Sequence, residues 1–406
     1  MTRTPSSYPG DDAEPFGLDT TLVRGGLTRT EFGETSEAIF MTSGFVYESA
    51  GAAEARFAGD DPGFVYSRYA NPTLDILERR LALLEGAEQC HATASGMAAI
   101  FTGLFCYLRA GDHLVASRAL FGSCFFIINT ILPRYGIETT MVDGGDLDAW
   151  ARAFRPNTKA VFLETPANPT LDLIDLAAVA KLAHAAGAKV FVDNVFATPL
   201  GQRPLELGAD VVMYSATKHI DGQGRCLGGA LLSDKAFCTD HFMPYYRHTG
   251  PAMSPFNAWV LLKGLETLAI RLERQAATAQ TLAELAESHR AVRSVRYPFL
   301  RSHPQYALAR RQMQSGGTVL SFDLGSKTAA FAFMDALKII DISNNLGDTK
   351  SLVTHPTTTT HRAMPEEDRQ AMGITEGLVR LSAGLEGAVD LLRDVSRALD
   401  AAARVA

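Results

Sequence analysis

The chain has 406 residues, of which 45 are acidic and 38 are basic, and its formal net charge is −7 at pH 7. This balance argues against nucleic acid or an anionic membrane as the main partner, because binding either requires a basic surface. The longest apolar run, residues 96–108, is too short to cross a bilayer, so we expect a cytoplasmic protein that acts on small molecules.

The N-terminus, two histidines and the cysteines give three further expectations. The first 17 residues are rich in Pro, Gly and Asp and lack the apolar core of a signal peptide, which predicts a mobile tail. His355 and His361 have no third metal ligand at a fitting spacing, so we expect no metal site. Reduced thiols without a disulfide framework are expected for the five cysteines, Cys90, Cys106, Cys124, Cys226 and Cys238.

The first predicted helix begins at Asn71-Pro72, where Asn can cap the helix and Pro suits its first position. Gly86 follows the last residue of its apolar stripe and should end it. We interpret residues 1–69, which precede this helix, as an N-terminal arm. The apolar stripe of the helix consists of Leu74, Leu77, Leu81 and Leu84.

Between residue 70 and about residue 235, short β-branched runs alternate with helical stretches, a pattern typical of a parallel sheet covered on both faces. One such helix, residues 176–187, has an apolar stripe and ends at a glycine. The pattern predicts an α/β fold with a mostly parallel central sheet, in a large domain of residues 70–265. The predicted strands are residues 113–117, 138–143, 159–165, 189–194 and 210–215.

The remaining residues, 266–406, are interpreted as a linking helix and a smaller α+β domain. The linking helix belongs to a predicted long helix of residues 254–287, with a kink at Gly264. Beyond it the pattern predicts two strand segments, 316–325 and 377–386, and two helices, 330–340 and 388–403.

Polar side chains follow neighbouring strands of the predicted sheet. Asp193 ends one strand, and Ser215, Thr217 and Lys218 follow the next. Ligands bind outside the carboxyl ends of the strands in open parallel sheets. An aspartate and a lysine placed in this way could form a structural ion pair. The hydroxyls that flank Lys218, and the glycines after it, favour instead an anionic ligand close to the backbone.

A second signal for an anion lies upstream, at Ser95-Gly96-Met97. These residues begin a predicted helix, and the free N–H groups and the dipole of a helix start favour phosphate. Taken alone, the stretch fits an ordinary small-residue helix start equally well. A phosphate site, a lysine amine and a carboxylate for a ring nitrogen are the minimum set that pyridoxal 5′-phosphate requires.

Six motifs, in this order and at these spacings, resemble the cysteine and methionine metabolism family of pyridoxal-phosphate enzymes. The resemblance covers the chain from about Leu22 onward and implies fold type I of these enzymes. The motifs are YSRYANPT (66–73), ATASGMAAI (92–100), ETPANPT (164–170), VDNVFATP (192–199), SATKHIDGQGR (215–225) and VRLSAGLE (379–386).

The resemblance implies a role for each site residue. Lys218 would form the Schiff base with the cofactor, Asp193 would hold the pyridinium nitrogen, and Asn168 would lie near the ring hydroxyl. Arg380 would bind the α-carboxylate of the substrate in a bidentate fork. Tyr66 and Arg68, reaching in from a neighbouring subunit, would join the phosphate ligands, which implies a homodimer with shared sites and commonly a homotetramer. The phosphate ligands from the same chain would be Ser95, Gly96, Met97, Ser215 and Thr217.

One position departs from the family pattern. A tyrosine usually lies over the cofactor ring, and the matching residue is Phe121. Phe121 can still stack on the ring, but the phenol is lost. Any proton transfer that this hydroxyl performs must fall to Lys218, to Tyr66 or to water.

Within the family, Phe121 and the segments 247–259 and 342–361 most resemble O-succinylhomoserine sulfhydrylases. This implies a γ-replacement in methionine biosynthesis, in which sulfide displaces succinate from O-succinylhomoserine to give homocysteine. Asn345 would lie near the substrate carboxylate. The distal succinyl carboxylate requires a cation, for which the candidates are Arg118, Arg225 and Lys350. If none of them reaches it, an acetyl ester becomes the better substrate.

Other functions stay open. A cystathionine γ-synthase or a methionine γ-lyase would keep every cofactor residue and change the nucleophile or the fate of the intermediate. From a different class, the chain could be a dinucleotide-binding protein or a non-catalytic sensor. A dinucleotide-binding protein is disfavoured because this chain has no G-x-G-x-x-G after its first predicted strand. A non-catalytic sensor is disfavoured because it would not need the reactive groups of the family, and this chain has all of them except the phenol.

Overall fold

The computed structural model describes residues 16–405. All but the last two residues of the predicted mobile tail therefore lie outside the described residues. Within residues 16–405, no helix is both long enough and apolar enough to cross a membrane.

Helices and strands alternate through the first two thirds of the chain. The helices are α1 Leu18–Arg24, α2 Ala50–Ala58, α3 Pro72–Glu85, α4 Gly96–Phe105, α5 Gly122–Phe126, α6 Leu132–Arg134, α7 Leu147–Ala153, α8 Leu176–Ala185, α9 Thr198–Gly201, α10 Lys235–Phe237, α11 Met243–Thr249, α12 Pro255–Leu265, α13 Leu268–Ser288, α14 Tyr306–Gln312, α15 Lys327–Ala336, α16 Glu366–Ala371 and α17 Ala388–Ala402. The strands are β1 Gln89–Thr93, β2 His113–Ser117, β3 Glu138–Val142, β4 Thr158–Glu164, β5 Lys189–Asp193, β6 Val211–Tyr214, β7 Gly229–Ser233, β8 Ser294–Arg296, β9 Val319–Asp323, β10 Asp341–Ile342, β11 Leu352–Thr354 and β12 Leu378–Ser382.

The larger sheet has seven strands in the order β1-β7-β6-β5-β4-β2-β3. Its strands are parallel except β7, which pairs antiparallel with both β1 and β6. The five strands predicted from the sequence are β2 to β6, each placed within one residue at either end. The prediction missed β1 and β7. The short run of β7 has no helix between it and β6, so it lacks the alternation that revealed the other strands.

Helix caps agree with the signals in the sequence. The Asn71 side chain accepts a hydrogen bond from the Thr73 N–H at the start of α3, and Gly86 ends that helix in the left-handed conformation. Asp175 caps α8 in the same way, through the Ala178 N–H. The apolar stripes of both helices are buried against the sheet, where they help to form its core. Both helices therefore pack against the sheet whose carboxyl edge carries the predicted site residues.

The predicted long helix of residues 254–287 is two helices, α12 and α13. The break lies at Glu266-Thr267 rather than at Gly264. Gly264 instead makes room for a close backbone approach, since a Cβ there would lie 2.2 Å from the Ile220 carbonyl oxygen. The Arg271 side chain bridges the break, donating to the carbonyl oxygens of Gly264 (2.8 Å) and His219 (2.8 Å). The chain just after Lys218 is therefore held against this helix pair.

The smaller sheet has five strands in the order β10-β11-β12-β9-β8. Helices α13, α15 and α17 pack against it around a separate hydrophobic core. The sequence predicted β9, β12, α15 and α17 but not the short strands β8, β10 and β11. These strands have only two or three residues, too few for an alternating pattern.

Residues 16–69 contain two short helices and expose many apolar side chains. Phe32 is 86% exposed and Val46 is 98% exposed. The segment is joined to the larger sheet region by a buried ion pair, in which Arg80 of α3 donates to Glu37 over 2.8 Å. Such a stretch of exposed apolar surface is typical of a segment that contacts another chain.

Candidate active site

A cavity of about 240 Å³ opens at the carboxyl edge of the larger sheet, where it meets the smaller sheet. Its walls come from the ends of β4, β5 and β6, from the start of α4 and from β12. The lining residues are Ser95, Gly96, Met97, Ile100, Phe121, Glu164, Asn168, Asp193, Val195, Phe196, Ser215, Thr217, Lys218, Leu227, Asn344, Leu346 and Arg380. Most of the residues selected from the sequence are therefore together in one cavity.

Lys218 lies in a turn that follows β6. Its Nζ donates a hydrogen bond to Oδ1 of Asn345 over 2.5 Å. Burial, reinforced by the positive charge of Arg380, lowers the pKa of Lys218 to about 8. A lysine with this pKa is partly neutral near physiological pH, so it can act as a nucleophile and as a general base.

Asp193 is the last residue of β5, and its side chain is almost fully buried. One carboxylate oxygen accepts a hydrogen bond from the Val195 N–H over 3.1 Å. Burial raises the pKa of Asp193 to about 6. A cationic group placed against this carboxyl would relieve the cost of burying its charge, which suits the nitrogen of a pyridinium ring.

The start of α4 lies directly against the end of β6. Ser95 caps the helix through the Ala98 N–H, and the first helical N–H groups, at Gly96 and Met97, have no partner within the helix. A Cβ at Gly96 would lie 2.6 Å from the Ser215 Cβ, so only glycine allows this approach. Thr217 adds a second hydroxyl, which also exchanges hydrogen bonds with the Gly228 backbone. Helix N–H groups and two hydroxyls converge here, as a phosphate requires.

Arg380 lies on β12, and only 2% of it is exposed. Its guanidinium donates to Oδ1 of Asn168 (2.9 Å) and to the carbonyl oxygens of Asn344 (2.9 Å) and Asn345 (3.2 Å). Burial lowers the pKa of Arg380 to about 10, although the negative charge of Glu164 opposes this shift. Within residues 16–405, no carboxylate lies within ion-pair distance of this guanidinium. A substrate carboxylate could therefore be its counter-ion.

Phe121 lies on the wall of the cavity, at the start of α5, where its ring can face a planar ligand. The backbone N–H of Phe121 donates to the Glu164 carboxylate over 2.8 Å. No pattern in the sequence indicates a role for Glu164. Sequence reasoning also missed Asn344, whose carbonyl is revealed as an Arg380 partner only by the fold.

Two predicted phosphate ligands, Tyr66 and Arg68, do not line the cavity. Tyr66 is 42% exposed. The Arg68 guanidinium lies 5.5 Å from the Tyr66 ring centroid and 4.8 Å from that of Tyr69, and it donates to the Arg247 carbonyl. Within one chain, neither residue therefore contributes to the cavity that contains Lys218.

The three candidate cations for a succinyl carboxylate do not line the cavity either. Arg225 is held by Asp221, to which its Nε donates over 2.9 Å. Lys350 lies 3.6 Å from the Asp348 carboxylate, with 64% of its side chain exposed. Arg118 follows β2 on the same edge of the sheet as Phe121 and is partly buried.

The histidines near the cavity have neutral partners. His219, next to Lys218, lies 2.7 Å from the Thr318 hydroxyl, and burial lowers its pKa to about 3. His355 bonds to the Thr358 hydroxyl and to the Glu376 carbonyl. In the described part of the chain, no three His, Cys, Asp or Glu side chains are grouped as metal ligands would be.

The donor set fits pyridoxal phosphate on two structural grounds. Gly96 lets the N–H groups at the start of α4 lie beside the Ser215 hydroxyl, and Asp193 offers a buried carboxyl at the end of the strand next to the one that leads to Lys218. A lysine of lowered pKa, an acid for a ring nitrogen and an anion cradle on one edge of an α/β sheet define a pyridoxal-phosphate-dependent enzyme.

Comparison with known proteins gives the family. The model of the Cys/Met metabolism PLP-dependent enzymes matches residues 19–400, and the chain belongs to this family. An O-succinylhomoserine sulfhydrylase of Mycobacterium tuberculosis is 58% identical over 402 residues, covering 98% of each chain. An L-methionine gamma-lyase of Treponema denticola is 41% identical, covering 96% of this chain and 98% of its own.

A solved structure is also similar. A Xanthomonas oryzae structure of cystathionine gamma synthase, in complex with aminoacrylate and cysteine, has a TM-score of 0.92 and 36% identity. The alignment covers 97% of this chain and 100% of that one. The predicted fold class, the enzyme class and the cofactor are thereby confirmed.

Proposed function

We propose that this protein is an O-succinylhomoserine sulfhydrylase, which converts O-succinyl-L-homoserine and sulfide into homocysteine and succinate. The observation that carries the proposal is the 58% identity, over nearly the whole of both chains, to a relative of that name. The cavity supports it, because it combines a base of lowered pKa with a buried arginine that has no acidic partner among residues 16–405.

The cofactor would be held by residues at the ends of β4, β5 and β6 and at the starts of α4 and α5. Asp193 would pair with the ring nitrogen, Phe121 would stack on the ring and Asn168 would lie near the ring hydroxyl. Pyridoxal phosphate, when bound, supplies an aldehyde that condenses with amines and a ring that takes up the electron pair released at Cα. Lys218 provides the amine that anchors it. The phosphate is bound by Ser95, Gly96, Met97, Ser215 and Thr217.

The substrate is oriented by Arg380 and deprotonated by Lys218. Arg380 binds the α-carboxylate in a bidentate fork, with Asn345 close by. Neutral Lys218 would remove the proton from Cα, and once it has passed this proton to the cofactor the amine is neutral again and can remove a second proton from Cβ. The Cγ–O bond breaks and succinate leaves with the bonding electrons. Sulfide forms the new Cγ–S bond, and the protons return to Cβ and Cα as homocysteine is released.

Because this chain has Phe121 where relatives have a tyrosine, other groups must perform the proton transfers that the phenol would perform. The phenylalanine ring can hold the cofactor but cannot accept or donate a proton. Lys218, which lines the cavity and has a pKa lowered to about 8, therefore carries both deprotonations in this proposal.

The N-terminal arm is proposed to complete a second site. The exposed apolar side chains of residues 16–69, and the outward position of Tyr66 and Arg68, support an arm that reaches a neighbouring subunit. The unit is then a homodimer with shared sites, or two such dimers in a homotetramer. We keep the division into an arm (1–69), a large cofactor-binding domain (70–265) and a small domain (266–406), together with a cytoplasmic location, as parts of this proposal.

One observation favours the acetyl ester as a second candidate substrate. None of Arg118, Arg225 and Lys350 lines the cavity of a single chain, and two of them have acidic partners. An acetyl group needs no cation. A succinyl ester is preferred only if Arg118, or a residue of the neighbouring subunit, reaches its distal carboxylate.

The test is a comparison of esters and thiols with the purified holoenzyme. We expect the highest kcat/KM for O-succinylhomoserine with sulfide, giving homocysteine. Higher kcat/KM for O-acetylhomoserine would make the acetyl ester the substrate. Cystathionine as the main product when cysteine competes with sulfide, or faster cleavage of methionine without any ester, would replace the proposal by the synthase or the lyase.

The shared site is tested by mixing two inactive variants. Lys218→Ala lacks the base and Arg68→Ala lacks the arm's phosphate ligand. In a mixed dimer with shared sites, one site carries both defects and the other carries neither. Refolding the two variants together should therefore restore about a quarter of the wild-type activity. Mixtures as inactive as the separate variants would show that each site is built from one chain.

A further inference from the structure

The buried carboxyl of Glu164 lies between the two segments that face the cofactor and the substrate. Glu164 is the last residue of β4, directly beside Asp193 in the register of the sheet, and only 3% of it is exposed. One oxygen accepts the Phe121 N–H over 2.8 Å, and the other accepts the Asn168 N–H over 3.1 Å. Both carboxylate oxygens are therefore used, one on each segment.

Each of these segments presents a side chain to the cavity. The first presents Phe121, which can stack on a ring. The second presents Asn168, whose Oδ1 accepts a hydrogen bond from Nη1 of Arg380 over 2.9 Å. Asn168 is only four residues from Glu164 in sequence, whereas Phe121 is 43 residues away, so local chain geometry does not fix the separation of the two segments. The Glu164 carboxyl is a direct link between them.

We propose that Glu164 is a positioning residue, which fixes Phe121 over the cofactor ring and Asn168 against Arg380. The inference rests on the roles proposed above for Phe121 and Arg380. Because the phenol is missing at Phe121, that residue can position the cofactor only through ring contact, and ring contact depends on where the backbone holds it. The Glu164 carboxyl thus determines both the position of the cofactor ring and the orientation of Arg380, which binds the substrate carboxylate.

A purely structural role is the competing explanation. Buried backbone N–H groups need acceptors, and Glu164 would satisfy two of them wherever they lay. Asp394 of α17 is a matched example far from the cavity. It is 2% exposed and accepts from the N–H groups of Lys338 (2.9 Å) and Ile339 (2.9 Å). Replacing either carboxyl by an amide should lower the stability of the protein, whereas only the replacement of Glu164 should change the cavity.

The decisive variants are Glu164→Gln and Asp394→Asn. The glutamine has one acceptor oxygen, and its NH₂ group cannot accept, so at least one of the two backbone N–H groups loses its partner. Two quantities are measured on folded protein: the dissociation constant of pyridoxal phosphate, and the dissociation constant of glycine for the holoenzyme, read from the visible absorption of the cofactor. Glycine probes the α-carboxylate site without requiring turnover.

We expect Glu164→Gln to raise both dissociation constants by about tenfold, as the loss of one buried hydrogen bond does. Asp394→Asn should lower the melting temperature and leave both constants within about twofold of the parent. Either constant of Glu164→Gln remaining within about twofold would overturn the proposal, because one carboxyl would then not hold both segments.

Two features keep the test decisive. If Glu164→Gln does not fold, Glu164→Asp replaces it under the same criteria, since the shorter side chain cannot reach both N–H groups. Neither measurement uses an ester or sulfide, so failure of the proposed sulfhydrylase reaction would leave the result for Glu164 unaffected.

Discussion

The two halves of the cavity are built in different ways. The cofactor half consists of Asp193, Ser215 and Lys218, which follow adjacent parallel strands and need only short turns to meet. The substrate half joins Arg380 of β12 to Asn168, 212 residues away in sequence, and Asn345 to Lys218, 127 residues away. The first half is determined by a local pattern on a rigid sheet, whereas the second exists only when the two sheets are docked.

This difference has a consequence for how each half fails. Damage to the cofactor half should remove the chemistry itself, because its groups act directly on the cofactor. Substitutions in the substrate half should first alter the affinity for the amino-acid substrate and the pKa of Lys218. Four variants test this contrast.

Lys218→Ala should have the largest effect. Loss of the anchor and of the base should lower kcat by about 10³-fold or more. Turnover is measured together with the visible absorption of the bound cofactor, which should disappear. Lys189→Ala is the control, since Lys189 lies at the opposite end of the strands and pairs with Asp210. A Lys218→Ala variant that kept both turnover and absorption would refute the assignment of the cofactor half.

Arg380→Lys should act mainly on affinity. Lysine keeps the charge but loses the fork, so KM for the amino-acid substrate should rise by about a hundredfold while the cofactor absorption is retained. Steady-state kinetics separate kcat from KM. Arg397→Lys, in a partly exposed pair with Asp394, should change neither. Loss of the cofactor from Arg380→Lys would mean that the two halves are not separable.

The pH dependence of cofactor binding tests the link between the halves. Lys218 must be neutral to attack the cofactor aldehyde, and its pKa is lowered to about 8 by burial. The rate at which apoprotein takes up pyridoxal phosphate should therefore fall by about tenfold for each pH unit below 8 and level off above it.

Asn345→Asp should shift that profile. A carboxylate in place of the amide oxygen, 2.5 Å from the Lys218 Nζ, favours the protonated amine. The midpoint should move to higher pH by about one unit or more. Asn345→Ala removes the oxygen without adding charge and should produce no upward shift. An unmoved midpoint in Asn345→Asp would contradict the contact across the two halves.

Phe121→Tyr should have the smallest effect. The added phenol keeps the ring contact, so the dissociation constant of pyridoxal phosphate should stay within about twofold of the parent. Phe121→Ala, which removes the ring, should weaken binding by about tenfold. Fluorescence titration of the apoprotein measures both. Equal losses in the two variants would show that stacking is not what Phe121 contributes.

The seven-stranded sheet was largely predictable because its strands carry local signals. Runs such as residues 189–194 are apolar, are flanked by charged residues and alternate with striped helices, and each became a strand of the sheet. The break between α12 and α13 was misplaced. Gly264 was interpreted as a kink, whereas it serves a close approach to the Ile220 backbone, a contact between distant residues that leaves no periodic signal.

By itself, the sequence determined the α/β class and the row of Asp193, Ser215 and Lys218, because short-range patterning dictates parallel strands and the polar residues at their ends. It could not determine that Glu164 would link Phe121 to Asn168, or that Arg380 would be held by the carbonyls of Asn344 and Asn345. Those contacts depend on which strands and loops become neighbours within each sheet region, which no local pattern reveals. Only the tertiary structure decides them, because the burial of groups far apart in the chain fixes their distances.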